Sequence, residues 1–327
     1  MGWGLGVHRR LILDSDMSSS ANAAWRPQHE VEIVAGTAPG GGLDRSARAL
    51  VKAIESKRLL DVPAKVSNVA GEGGRKAWAY LDRHPGDPHV LCISSSNLAT
   101  DHLLGTSGYD HEAAFTPLAI LYTEYIAFLA RCDSSLISGA DLVARFATRA
   151  ASVTVALSTS LGNPNHIALA KVVRHAGGDV RAPRIRVFDS ALDAVADVVA
   201  GNADICAVTA ASAVTEITVG TMRALAVSAP QRLTGLYAQT PTWLEQSVDC
   251  VIGAWRGVSG ARGLTRAQVA YWERTLAATV RTEAWMAELS RLYWTPMYLD
   301  GASLRQHLKR ERGDMEAALR ALGMLKR

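Results

Sequence analysis

Two turns in this sequence have the residue types and spacing to hold an anion. Ala38-Pro39-Gly40-Gly41-Gly42-Leu43-Asp44 follows a short apolar run and opens a helical pattern. Ser158-Thr159-Ser160-Leu161-Gly162-Asn163-Pro164-Asn165-His166 repeats the arrangement in the second half of the chain. A strand-to-helix turn presents free backbone N–H groups and the positive end of a helix dipole, which suits a carboxylate. Two such turns are what a closing cleft needs to grip a dicarboxylate. The candidate binding residues are Gly40, Gly41, Gly42 and Asp44, facing Ser160, Gly162, Asn163 and His166 across the cleft. Ser95, Asn97, Ser190 and Thr209 join them at strand ends, where open α/β sheets place ligands. Asp44 has two readings. It stabilises its own helix N-terminus, or it meets a ligand ammonium or hydroxyl. The first is favoured, because a carboxylate would repel a carboxylate ligand. His166 falls in a first helical turn, where the dipole disfavours the protonated ring, so a neutral imidazole is expected.

Other chemistries lack their signatures. No Gly-Lys-Ser/Thr follows the first turn, so it is not a P-loop, and its glycine spacing is not that of a dinucleotide fingerprint. There is no Gly-x-Ser-x-Gly elbow, no His-Glu-x-x-His and no metal-ligand spacing. Ser158 or Ser160 with His166 is the one imaginable nucleophile and base, and nothing in the sequence orients that base. The chain is therefore read as a binding protein and not an enzyme, with no cofactor and no metal. A hydrolase is the minor alternative. Cys92, Cys132, Cys206 and Cys250 are far apart and form no Cys-x-x-Cys pair, so free thiols are the default.

Alternating strands and helices must position these turns. Strand patterns cover Val31–Val34, Ala64–Asn68, Val90–Ser94, Ser152–Leu157, Arg184–Phe188, Ile205–Val208 and Met222–Val227. Ala47, Leu50, Val51 and Ile54 lie on one face of a helix from Asp44 to about Ser56. Asn163 before Pro164, with Gly177-Gly178 after Ala176, brackets a second helix, and Ser190 with Asp193 starts a third that Gly201 ends. Two such blocks in 327 residues imply two α/β domains of parallel sheet with helices on both faces. Tyr125–Arg131 and Val251–Val258 are candidate crossings between them, and the helices from Thr265 onward should pack back on the first domain.

Composition agrees with a globular protein: 48% hydrophobic, 20% charged, formal net charge +4. The densest basic run, Lys309-Arg310-Glu311-Arg312, has acids beside it and makes no nucleic-acid footprint. No apolar stretch is long enough to span a membrane. Arg9-Arg10 before Leu11-Ile12-Leu13 resembles the start of an export signal, but Asp14 and Asp16 cut the apolar run short. Ala21-Asn22-Ala23-Ala24 resembles a cleavage site. Residues 1–29 are read as an irregular lead-in or the remnant of an export signal.

Seven segments in order resemble the extracytoplasmic binding receptors of tripartite tricarboxylate transporters, the TctC-like or Bug proteins. They are Pro39-Gly40-Gly41-Gly42-Leu43-Asp44 with Arg48; Asn68 with Gly71, Gly73 and Gly74; Phe115-Thr116-Pro117-Leu118-Ala119; Ser158 to His166; Arg223 to Ser228 with Arg232; Pro241-Thr242 with Glu245; and Trp255-Arg256-Gly257-Val258. Where that family has an aromatic residue before the first turn, this chain has Gly36-Thr37. The resemblance implies a two-lobed type II periplasmic-binding fold with a ligand cleft between its α/β domains. It implies a carboxylate ligand held through backbone N–H groups and bridging waters, a periplasmic location and delivery to membrane transporter subunits. The chain is expected to be monomeric and to bind no nucleic acid. A sensor that signals to a membrane partner is the alternative. Domain one is placed at 30–127 plus 254–327 and domain two at 128–253. In that fold the two crossings run side by side and antiparallel, which raises the possibility of a Cys132–Cys250 disulfide at the hinge.

Overall fold

The computed structural model describes residue 1 and residues 25–325, so the export-signal and cleavage-site readings lie outside the described residues. Apolar β-branched runs make the first sheet. Strands β1 (Val31–Ala35), β2 (Ala64–Asn68) and β3 (Val90–Ser95) pair in parallel in the order β2-β1-β3. Helix α1 (Gly42–Ser56) follows β1 and buries Leu43, Ala47, Leu50 and Ile54 against that sheet. Helix α2 (Arg75–Asp82) covers the other face with Trp78 and Leu81. Short helices α3 (Asn97–Leu103) and α4 (His111–Ala114) lead into β4 (Phe115–Arg131).

Strand β4 has 17 residues, about three times the usual strand length, and serves two sheets. Phe115–Tyr125 pairs antiparallel with β9 (Gly253–Ala261), which also pairs with β3. Ile126 onward pairs with β7 (Ile205–Thr209) on one side and β8 (Met222–Val227) on the other. Helix α5 (Gly139–Arg149), β5 (Thr154–Ser158), α6 (Pro164–His175), β6 (Arg184–Phe188), α7 (Ala191–Val199) and α8 (Val214–Thr218) complete this second unit, in which β5 pairs in parallel with β6 and β7. One core there centres on Phe128, Phe146, Leu157 and Trp243; another, on the opposite sheet face, centres on Val195, Val198, Cys206 and Tyr237. Of the ten strands among the described residues, eight form one path, β2-β1-β3-β9-β4-β7-β5-β6, that curls through β4, while β8 and β10 branch from β4; the fold is two-lobed α/β.

The crossing differs from the sequence reading. Tyr125–Arg131 already belongs largely to the second sheet, and the side-by-side segments are Phe115–Tyr125 and Gly253–Ala261. This register removes the disulfide. The last crossing pair is Tyr125 with Gly253, and Cys132 lies seven residues further, roughly 23 Å along a strand. Cys132 and Cys250 are both free, and the Cys250 thiol points at the Ala168 carbonyl.

The chain then returns through α9 (Arg266–Thr279), α10 (Glu283–Arg291), β10 (Thr295–Asp300) and α11 (Gly301–Ala321). Trp272 and Trp285 of α9 and α10 fill the first core. Helix α11 departs from expectation. It starts beside β10, but Met315, Leu319 and Leu322 at its far end pack on Ile167 and Ala170 of α6 in the other lobe. Leu50 is fully buried beneath α1. Replacing it by Ala should cost about 2–5 kcal/mol through lost contacts and the residual cavity. Urea unfolding followed by tryptophan fluorescence measures this, and an unchanged midpoint would contradict the packing described.

Candidate ligand-binding site

The first turn is held by its own polar groups. Gly40 adopts φ +82°, and a Cβ on Gly41 would fall 2.6 Å from Thr37, so the turn needs glycine at both positions. Thr37 Oγ1 accepts from the Asp44 backbone N–H at 3.1 Å. The Asp44 carboxylate is 1% exposed and accepts from Gly40 N–H, Asn68 Nδ2 and Arg48 Nε at 2.8, 2.9 and 3.0 Å. Burial alone would push its pKa up, but these hydrogen bonds and the Arg48 charge outweigh burial and hold it below the usual carboxylate value. Asp44 therefore organises its own turn, and α1 presents Gly42 and Leu43 to the cleft.

The second turn is held in the same manner. Asn163 Oδ1 caps α6 by accepting from His166 N–H at 3.0 Å, while its Nδ2 donates to Ser158 O and Thr159 Oγ1. Asn165 Nδ2 donates to Ser158 Oγ at 2.9 Å. His166 Nδ1 accepts from Gly162 N–H at 2.9 Å. No hydrogen bond joins His166 to Ser158 or Ser160 among the described residues, so the imagined nucleophile and base are not engaged. Helix α7 is capped by Ser190, whose Oγ accepts from Asp193 N–H and donates to its carboxylate.

These turns surround one cavity, of about 60 Å³ once the open solvent at its mouth is left out. Gly42, Ser95, Asn97, Asn163, Ser190 and Thr209 line it; Gly40, Gly41, Asp44, Ser160, Gly162 and His166 do not. In the first turn, and for Gly162 and His166 in the second, these groups bond to other parts of their own turn, while Ser160 Oγ reaches across the lobes to Asp101 Oδ1 at 3.5 Å. Thr37, Leu43, Gly73, Ser158, Thr159, Asn165, Asp189, Ala191, Ser212, Ala254 and Arg256 also line the cavity and were not among the sequence candidates. Ala254 and Arg256 alternate along a crossing strand, and that period-two spacing was the available signal. Asn97 Nδ2 donates to Thr159 Oγ1 at 3.0 Å and Arg45 Nη2 to Ser212 Oγ at 3.3 Å, each bond linking the two lobes.

The N-termini of α1, α6 and α7 converge here from both lobes, and Arg256 is the only cation among the lining residues. The arrangement provides N–H donors, helix dipoles and one guanidinium for an anion. Among the described residues no cluster of side chains could hold a metal ion, and no helix is long and apolar enough to cross a membrane.

Burial lowers the His166 pKa from 6.5 to about 4, so the imidazole stays neutral as expected from its place in the helix. Between those values the unfolded chain takes up a proton that the folded state refuses, so stability falls as pH falls from 6.5 towards 4. His166→Gln keeps an acceptor for Gly162 N–H but removes the titration. Its urea midpoint should drop less between pH 7 and pH 4.5 than that of the parent, and an equal drop would assign the pH dependence to other groups.

No family model matches the chain. A UPF0065 protein from the tcbD-tcbE intergenic region of Pseudomonas sp. (strain P51) is 25% identical over 260 residues, 77% of this chain and 75% of that protein. The periplasmic binding protein BugD superposes with a TM-score of 0.81 at 19% identity, over 92% of this chain and 100% of BugD. MatC (Rpa3494) from Rhodopseudomonas palustris, solved with bound malate, superposes with a TM-score of 0.76 at 21% identity, over 90% of this chain and 99% of MatC. In its two-lobed periplasmic-binding fold the chain resembles the TctC-like, or Bug, solute-binding proteins.

Proposed function

We propose that this protein is a solute-binding protein, not an enzyme, that closes two lobes around a small carboxylate-bearing molecule. The convergence of three helix N-termini and Arg256 on one interlobe cavity carries the reading. Each terminus leaves backbone N–H groups without intrahelical acceptors and adds the positive end of a dipole. An anion between them satisfies both lobes at once, so binding favours closure. The moving units are residues 30–127 plus 254–327 against residues 128–253, with the ligand taken by Gly42, Ser95, Asn97, Asn163, Ser190 and Thr209. The malate in MatC supports a carboxylate as the ligand. The periplasmic setting of BugD supports a periplasmic location; on this reading the protein is a monomer that hands its ligand to a tripartite tricarboxylate-type membrane transporter.

A thermal-shift screen of mono-, di- and tricarboxylates tests the site. A ligand at one hundred times its Kd adds about 2.7 kcal/mol, a Tm rise of roughly 4 °C for a chain of this size. The expected result is such a rise with at least one carboxylate and none with the matching amides. No shift with any carboxylate at millimolar concentration would reject the reading.

A further inference from the structure

The floor of the cleft is made by the two crossing strands, and it carries an ion pair that the helix-terminus argument does not use. In the β4–β9 register Tyr122 stands opposite Arg256 and Glu124 opposite Ala254, so Arg256 and Glu124 are diagonal cross-strand neighbours. Arg256 Nη2 lies 2.9 Å from Glu124 Oε2, with side chains 12% and 3% exposed. Glu124 is fixed from its other oxygen, since Trp294 Nε1 donates to Oε1 at 2.8 Å. Arg256 Nη1 donates to the Ala254 and Trp255 carbonyls, and its Nε–H is buried with no acceptor. The guanidinium is thus held by charge to Glu124 and by Nη1 to two carbonyls, with Nε unsatisfied, and it borders the cavity beside α1, 4.0 Å from where a Cβ on Gly42 would lie.

A second guanidinium stands nearby. Arg45 bonds Gly40 O and Ser212 Oγ, and its Nε is also buried without an acceptor. Both arginines act electrostatically on the buried Tyr122 hydroxyl. The neighbouring Asp44 is paired with Arg48 instead. Arg45 lies on α1 behind the cavity lining, so around the floor two guanidinia stand against the one carboxylate of Glu124. A half-buried charge without a counter-ion is costly, and a ligand carboxylate removes the cost. The opposite wall has no cation and carries Asp189.

We propose that Arg256 contacts the ligand carboxylate directly and sets the preference for a charged over a neutral head group, with Glu124 and Trp294 as positioning residues. The ligand enters with its carboxylate towards the crossing strands and its remaining polar groups towards α6 and α7. This rests on the carboxylate-binding reading above and adds a direct ion contact to it.

The test uses the full chain and a set of linear three- to six-carbon carboxylic acids, each compared with its amide by calorimetric titration. Arg256→Gln alone strands the Glu124 charge, so the variant is Glu124→Gln with Arg256→Gln, which removes both charges and keeps the shapes. The double variant should lose the carboxylate-over-amide preference by at least tenfold while amide affinity changes little. Arg256→Lys, which keeps the charge but not the planar fork, should retain part of the preference. Far-ultraviolet circular dichroism checks that each variant is folded. If the folded double variant keeps the preference, Arg256 does not select the head group, although the carboxylate reading stands. If no carboxylate binds the parent chain, both readings fall.

Discussion

The antiparallel ladder between β4 and β9 is the constraint from which the rest of the molecule follows. A 17-residue strand exceeds what one sheet can use, so β4 spends its first part in one lobe and its second in the other. The same ladder joins the lobes, floors the cleft and aims Arg256 and Ala254 at it. It also fixes the diagonal approach of Arg256 to Glu124. Side chains two apart on a strand share a face, so a slip of one residue would turn Arg256 away from the cavity and leave Glu124 buried without its partner.

The cleft walls obey a second rule: polar groups near a turn divide between holding the turn and facing the ligand. Asp44, the third residue of α1, and Asn163, the N-cap of α6, are the buried organisers of the two turns, one per lobe. Asn163 makes three hydrogen bonds within its own turn, while Asp44 accepts from Gly40 in its turn, from Asn68 at the end of β2 and from Arg48 one helical turn on. His166 joins the second set through Gly162. With these carboxylate, amide and imidazole groups consumed internally, the helix N-termini themselves remain to meet the solute. A buried polar group that is bonded inside its own turn adds rigidity, and the rigidity keeps the donors aimed.

Helix α11 adds a link between the lobes besides β4 and β9. Its start belongs to the first lobe and its end rests on α6 through Met315, Leu319 and Leu322. No covalent staple sits at the hinge, since Cys132 and Cys250 are free; the lobes are joined by the two strands, by this apolar contact and by side-chain hydrogen bonds such as Asn97–Thr159 and Arg45–Ser212.

What the sequence by itself determined was local. Asn163-Pro164 and Ser190 with Asp193 start helices because capping is settled within four residues, and the glycines of the first turn are required by φ and by contact with Thr37. Alternation of strands and helices gave the two-lobed α/β class, and half of the candidate residues reached the cavity because strand ends and helix starts collect at one edge of a parallel sheet. Only the tertiary structure decided which side of each turn faces the cleft, where β4 passes from one sheet to the next, and that Arg256 and Glu124 meet. Those outcomes depend on register and packing between segments far apart in the chain, from Ala130 with Ile205 to Phe115 with Ala261. No local spacing encodes that register, because each strand is compatible with several partners until the whole sheet is assembled.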